Sequence, residues 1–175
     1  MQALLGSAPV TPDTTQDRAA AADDWHAIET LIMTYAERVD LGDFAGVAAL
    51  FEHATYRAVH GGEITSQEGA AAVLATFETM VRRYDDGTPR TKHVTTNVVV
   101  EIDGDTATAR SYYTVFQQTD VLALQPIIAG RYHDRFARVG GAWRFADRLI
   151  FSDLIGDLSQ HLLVDVYATG PDRSP

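Results

Sequence analysis

An α+β fold is what this sequence predicts, and three observations predict it. Apolar residues recur at helical spacing from Trp25 to Val39, strand-like alternation dominates from Thr91 onward, and Asp103-Gly104-Asp105 is a strong hairpin signal inside that β-rich half. The order is two helices, a short hairpin, a third helix and a long antiparallel meander. That order reads as a curved, mainly antiparallel sheet wrapped around three N-terminal helices. With 175 residues, 46% of them hydrophobic and 22% charged, the chain is sized for one core.

Taken in order, residues 1–22 are expected to be a mobile leader. They lack the basic start and sustained apolar stretch of a signal peptide. Asp23 or Asp24 is the expected cap of a first helix whose stripe is Ile28, Leu31, Ile32, Tyr35 and Val39, with Gly42 ending it. A short second helix over 43–51 carries Phe44, Val47, Leu50 and Phe51 on one side. Residues 54–60 alternate like a strand, and Gly61-Gly62 turns the chain before Glu63-Ile64-Thr65. Ser66 with Gly69 is expected to cap a third helix running to about Tyr84 on Val73, Leu74, Phe77, Met80 and Val81.

Residues 85–89 are a loop by composition. Strands are expected over 91–101, 106–118, 127–139 and 143–151, with Gly140-Gly141 as a second tight turn. The expected division is a leader (1–22), one domain (23–155) and a C-terminal extension (156–175) frayed beyond Gly170. In that extension Leu158, Leu162 and Val166 are spaced to form a helix that lids a pocket or swaps onto a partner.

Charge and composition exclude several function classes. The formal net charge is −10 and no run of Lys or Arg occurs, which argues against nucleic acid, anionic membranes and polyanionic substrates. No stretch approaches the roughly eighteen apolar residues of a membrane span. Without cysteine there is no disulfide framework, thiolate nucleophile or Cys-based zinc site, which is compatible with a cytoplasmic location. The six histidines show no metal-ligand spacing, no Gly-rich phosphate loop follows a strand, and no G-x-S-x-G occurs. No metal and no cofactor are expected, which leaves acid–base chemistry.

Asp40 and His93 carry that chemistry best. Asp40 sits in the last turn of a helix, where the macrodipole disfavours a carboxylate, so a hydrogen-bonded imidazole would reward its presence. His93, Thr95 and Asn97 alternate onto one strand face. A carboxylate that orients an imidazole makes a general base near neutral pH. The same pair also suits a histidine tied to a helix carboxylate for structure alone. Tyr35 and Tyr56 are candidate hydrogen-bond donors to a carbonyl or leaving hydroxyl, or else core phenols. Tyr113 and Gln117 share one face of their strand, and with Asn97 they are candidate substrate contacts. Arg131 and Arg148 are candidates for a substrate carboxylate, although Arg131, His133 and Arg135 together also read as a solvated or dimer-facing surface.

Four stretches carry a resemblance to a known family. They are Tyr35-Ala-Glu-Arg-Val-Asp40-Leu-Gly-Asp-Phe44, Arg90-Thr-Lys-His93, the Glu-Ile-Asp-Gly-Asp hairpin at 101–105, and Gly130-Arg-Tyr-His-Asp134 leading to Gly141-Ala-Trp143-Arg-Phe145. Over roughly residues 23–155 the chain resembles SnoaL-like members of the nuclear transport factor 2-like superfamily. That resemblance implies a cone of bent sheet and three helices around a central pocket. Dehydratase members have an Asp at the position of Asp40, a His at His93, a Tyr at Tyr35 and another near Tyr56. The chain departs at Phe116, Gln117 and Gln118, where one member has a second catalytic His, and at Val115 and Ser152, where another has an Asp and an Arg. The implied activity is a cofactor-free lyase or isomerase acting on a hydrophobic, oxygenated small molecule. The alternative is a non-catalytic ligand-binding or scaffold protein, and in either case a homodimer or higher homo-oligomer is implied.

Overall fold

The computed structural model describes residues 14–60 and 62–164. Helix α1 (Thr14–Asp40) begins well before the cap expected at Asp23 or Asp24. Ala19 to Ala22, the best helix formers, carry the helix back through exposed turns. Asp24 caps nothing; instead it accepts hydrogen bonds from Arg138 Nη2 at 2.6 Å and Trp143 Nε1 at 3.0 Å, tying the helix to distant strands. Residues 1–13 of the expected leader, and the tail beyond 164, lie outside the described residues.

From Ile28 the expected stripe turns inward, with Ile28, Ile32, Tyr35, Ala36 and Val39 all buried. The helix ends in a Schellman motif, Asp43 N bonding Arg38 O and Gly42 N bonding Val39 O. Gly42 sits at φ +71°, and a Cβ there would lie 2.1 Å from the Gly87 carbonyl oxygen, so only glycine fits. The Asp43 side chain then caps α2 (Phe44–Ala49) by accepting from Gly46 N at 2.8 Å.

Strands β1 (Thr55–His60) and β2 (Glu63–Glu68) pair antiparallel, and Ser66 lies inside β2 opposite Arg57. Ser66 therefore caps no helix, and α3 (Gly69–Met80) opens at Gly69 with φ +76°. It stops short of the expected Tyr84, because Val81 turns extended and bridges to Leu162. The meander follows as β3 (Thr91–Asp103), β4 (Thr106–Gln117), β5 (Gln125–Val139) and β6 (Ala142–Ile155).

The six strands form one unclosed sheet in the order β2-β1-β6-β5-β4-β3, antiparallel except for the β1–β6 pair. Register shifts interrupt β3, β4, β5 and β6, and such irregularities bend a sheet. The bent inner face closes over α1, burying Tyr113, Tyr132, Phe136, Phe145 and Ile150 against Tyr35, Phe44, Phe51 and Phe77. Between α1 and the middle strands this space is filled with rings; Tyr35 alone has Phe51, Tyr56, Phe77 and Tyr132 within 6.5 Å.

The C-terminal extension is described to Val164 and forms turns there rather than the expected helix. Leu158 is buried, and backbone bonds from Arg82 N to His161 O and from Leu163 N to Met80 O lay the segment beside the end of α3. Val166 lies outside the described residues. Among the described residues no helix is long and apolar enough to cross a membrane.

Candidate active site

The Schellman stop leaves Asp40 as the last residue of α1, pointing at the start of β3. β3, the sheet's edge strand, packs beside that helix, and the approach is closed by hydrogen bonds. The Asp40 carboxylate accepts from Thr91 Oγ1 at 2.8 Å and from the backbone N of His93 at 2.8 Å, and its Oδ1 lies 2.6 Å from His93 Nδ1. Both side chains are nearly withdrawn from solvent, at 8% and 7% exposure. Burial alone would raise the Asp40 carboxyl, but the His93 bonds and charge, with the Thr91 hydroxyl, outweigh it and hold the group below the usual carboxylate range. An ionised Asp40 accepts a hydrogen bond from His93 Nδ1–H, which fixes the tautomer and leaves Nε2 as the basic nitrogen.

A half-open groove of about 320 Å³ lies between α1 and β3, lined by Met33, Ala36, Glu37, Asp40, Leu41, Lys92, His93 and Thr95. Met33, Ala36 and Leu41 give it an apolar portion, and Glu37, Lys92, Thr95 and the Asp40–His93 pair supply its polar groups. His93 Nε2 has no hydrogen-bond partner among the described residues and is not sealed from solvent. A hydrophobic ligand with one acidic C–H could lodge here with its proton at the imidazole.

Tyr35 and Tyr56 do not line this groove. Their hydroxyls bond each other at 3.1 Å inside the aromatic core, and burial pushes both phenols up. The middle of the wrap, where a central pocket is expected, is occupied by this cluster, and the hollow beside the pair opens toward the sheet edge instead. Arg148 is also inside the core. It is wholly buried, bonds Asp134 bidentately at 2.8 and 2.7 Å, and lies 4.2 Å from the Tyr35 ring and 4.1 Å from the Tyr132 ring. A guanidinium so engaged has no carboxylate-binding place to offer in the groove.

The remaining predicted contacts are dispersed. Asn97 leaves the His93–Thr95 face because β3 bulges between Thr96 and Val99; Asn97 takes φ +55° and becomes exposed while Val98 turns inward. Tyr113 is buried, stacks on Tyr132 at 4.4 Å and donates to Phe151 O at 3.2 Å, and burial pushes its phenol up to about 12. Gln117 is sealed in the core and donates to the carbonyls of Pro89 and Gln160, which binds the C-terminal segment to the sheet. Arg131 pairs with Asp153 on the outer face at 2.7 and 2.9 Å, so the surface reading of the Arg131–Arg135 face holds.

Two groups near the pair carry no clear sequence signal. Thr91 completes the Asp40 cradle. His161 arrives from the C-terminal segment, with Nδ1 sealed from solvent and without a partner among the described residues. Burial, then the charge of His93, lower His161 to about 4, with Asp40 pulling the other way. Spacing places Thr95 beside His93, but nothing local could announce that a residue sixty-eight positions further on joins them. Among the described residues no group of three or more His, Cys, Asp or Glu is arranged to hold a metal.

A family model described as a SnoaL-like domain matches residues 20–149. No curated protein matches the sequence. Among solved structures, an NTF2-like protein with a cystatin-like fold from Novosphingobium aromaticivorans superposes with a TM-score of 0.67 at 22% identity, covering 83% of this chain and 92% of that one. A candidate scytalone dehydratase from the same organism gives 0.64 at 22% identity, over 80% and 91% of the two chains. The beta subunit of a candidate aromatic-ring-hydroxylating dioxygenase, also from N. aromaticivorans, gives 0.63 at 19% identity, over 78% and 93%. At these identities the likeness to solved structures establishes the fold alone.

Proposed function

The chain belongs to the SnoaL-like domain family, and from that membership we propose that it is a cofactor-free acid–base lyase or isomerase of the cytoplasm. The substrate is a hydrophobic, oxygenated small molecule; His93 is the base and Asp40 the carboxylate that orients it. One observation carries the reading: an imidazole held 2.6 Å from a buried carboxylate, both lining a groove to which Met33, Ala36 and Leu41 also contribute. His93 Nε2 removes a proton next to a carbonyl, and the C–H electron pair becomes an enolate. Returning that proton to a β-hydroxyl expels water, whereas returning it to another carbon isomerises the substrate. A positioned base supplies on the order of 10²–10⁴-fold, so orientation in the groove and stabilisation of the oxyanion must supply the rest.

The test is proton exchange rather than product formation, since it needs no knowledge of the product. A panel of cyclic ketones and β-hydroxyketones is incubated in D₂O and α-deuteration is followed by NMR. Exchange catalysed by the wild type and absent from His93→Ala is the expected result. Equal exchange by the two proteins removes the proposal.

A second reading rests on the outer face of the sheet, where Val94 and Tyr112 are 45% and 54% exposed on neighbouring strands. Under that reading the domain is a homodimeric scaffold or ligand carrier, and the dioxygenase beta subunit shares its fold. A folded His93→Ala protein that keeps full biological activity would favour this reading over the first.

A further inference from the structure

Thr91 and His93 stand two residues apart on β3 and face the same way, so the Asp40 carboxylate at the end of α1 fits between them. Thr91 is 2% exposed, and its Oγ1 lies 2.8 Å from Asp40 Oδ1. An ionised carboxylate can only accept, so the hydroxyl donates. Oδ1 is therefore shared by two donors, the Thr91 O–H and the His93 Nδ1–H, while Oδ2 takes the His93 backbone N–H. With both oxygens tied, the carboxylate cannot turn without breaking a bond.

The chain around Thr91 holds this hydroxyl in place. Arg90 takes φ +55°, in the left-handed region that side chains rarely adopt. Its backbone N donates to Thr88 Oγ1 at 3.1 Å, and its carbonyl accepts from Gln118 N at 3.3 Å. Gln117, which faces Thr91 across the β3–β4 ladder, donates Nε2 to the Pro89 carbonyl at 3.0 Å. The strained residue sits directly before the one whose side chain reaches the carboxylate. Strain of this kind persists only where the surroundings over-determine it.

We infer that Thr91 is a positioning residue for the proposed reaction: its hydroxyl fixes the rotation of the Asp40 carboxylate and takes up part of the negative charge that Oδ1 would otherwise lend the imidazole. A base that takes a proton from carbon and then gives it back works best when its charged form is not over-stabilised. Resting on the reading of His93 as a base, the inference goes beyond it by naming what sets that base's strength. Asp40 and Glu37 on α1, Lys92 on β3 and His161 on the C-terminal segment are the titratable or charged groups around the imidazole, and β4 places Val115 opposite it. A substitution at Thr91 alters none of them.

The test compares the wild type with Thr91→Val, which removes the hydroxyl and keeps the shape, and with Thr91→Ser, which restores the hydroxyl. The first readout is the His93 Nδ1–H resonance in proton NMR, assigned by its loss in His93→Ala. It needs no substrate. Thr91→Val should move the resonance to lower field, because Oδ1 becomes a stronger acceptor, and Thr91→Ser should return it to the wild-type position. The second readout is the pH profile of kcat/KM for 5-nitrobenzisoxazole. Its C–H proton passes to the base while the N–O bond breaks, and the electron pair ends on oxygen as a cyanonitrophenolate. The acid limb should move to higher pH by about half a unit in Thr91→Val, a loss of about threefold on that side, and return in Thr91→Ser. A purely structural hydroxyl would lower the rate equally at every pH and leave the limb in place, and that result overturns the inference. So does a resonance that stays put or moves to higher field in folded Thr91→Val; Thr91→Ala is read in the same way if the valine variant does not fold. An unmoved resonance beside a rate that depends on His93 removes this inference alone. A wild-type rate no better than that of His93→Ala removes the base, and this inference with it.

Discussion

His161 should make the fold acid-labile in a defined window. The imidazole is held to about 4 in the folded chain, against an ordinary value of 6.5, by burial and by the His93 charge. The unfolded chain therefore binds this proton first as pH falls. Stability from His161 is complete above about pH 6.5, declines as pH drops, and is exhausted once the folded form also protonates near pH 4. At ~1.36 kcal/mol per pH unit, the gap between 6.5 and about 4 amounts to roughly 3 kcal/mol at most. His93 and Asp40 are the charged groups that act on it, and the latter opposes the shift. The assay is urea unfolding of the wild type and His161→Leu from about pH 7 down to about pH 4.5. The wild type should lose stability steadily over that range while the leucine variant is flatter, because the other five histidines are common to both. Asp40 does not confuse the comparison, since its carboxyl is held below 3.8 and acts at lower pH. Parallel pH slopes for the two proteins, or a wild type more stable at the acid end, would refute the reasoning.

Three other outcomes follow from the same contacts. Asp40→Ala leaves Thr91 Oγ1, the His93 backbone N and His93 Nδ1 without their acceptor; a loss on the order of 2–4 kcal/mol in urea unfolding is expected, together with loss of α-proton exchange. Asp134→Ala strands the buried Arg148 guanidinium and should cost about 3–5 kcal/mol, whereas Asp134→Leu combined with Arg148→Met should lie much closer to the wild type in thermal unfolding. Tyr35→Phe and Tyr56→Phe each delete one partner of a 3.1 Å core hydrogen bond. They should shift stability by about 0.5–1.5 kcal/mol and leave proton exchange within threefold of the wild type; a hundredfold loss of exchange would return the tyrosines to the chemistry.

What could be read along the chain is what obeys a short-range rule. The stripe Ile28–Ile32–Tyr35–Val39, the stop at Gly42 and the hairpin at 103–105 follow from periodicity and turn chemistry, and each lies where the spacing puts it. The start of α1 departs from the local signal because Asp23 and Asp24 look like caps, while the alanines before them are the best helix formers and extend the helix. Ser66 misled for a similar reason: a good capping residue in the sequence became a paired strand residue once β1 lay beside it. The Asp40–His93 pair was legible because an unfavourable carboxylate at a helix end needs a partner. The fates of Asn97 and Arg148 were not legible, since a bulge in β3 reverses one and a buried Asp134 captures the other.

By itself, then, the sequence determined the α+β layout, the absence of cysteine chemistry, and a helix that ends with an acid facing a β-rich half containing a histidine. Tertiary structure alone decided which groups share a wall. Strand irregularities switch faces, ion pairs withdraw charges into the core, and a C-terminal segment brings His161 to the pair. The physical reason is range. Helical and strand periods are set within a few residues, whereas the composition of a site depends on contacts between segments fifty or more positions apart, and those contacts form only when the bent sheet closes on its helix.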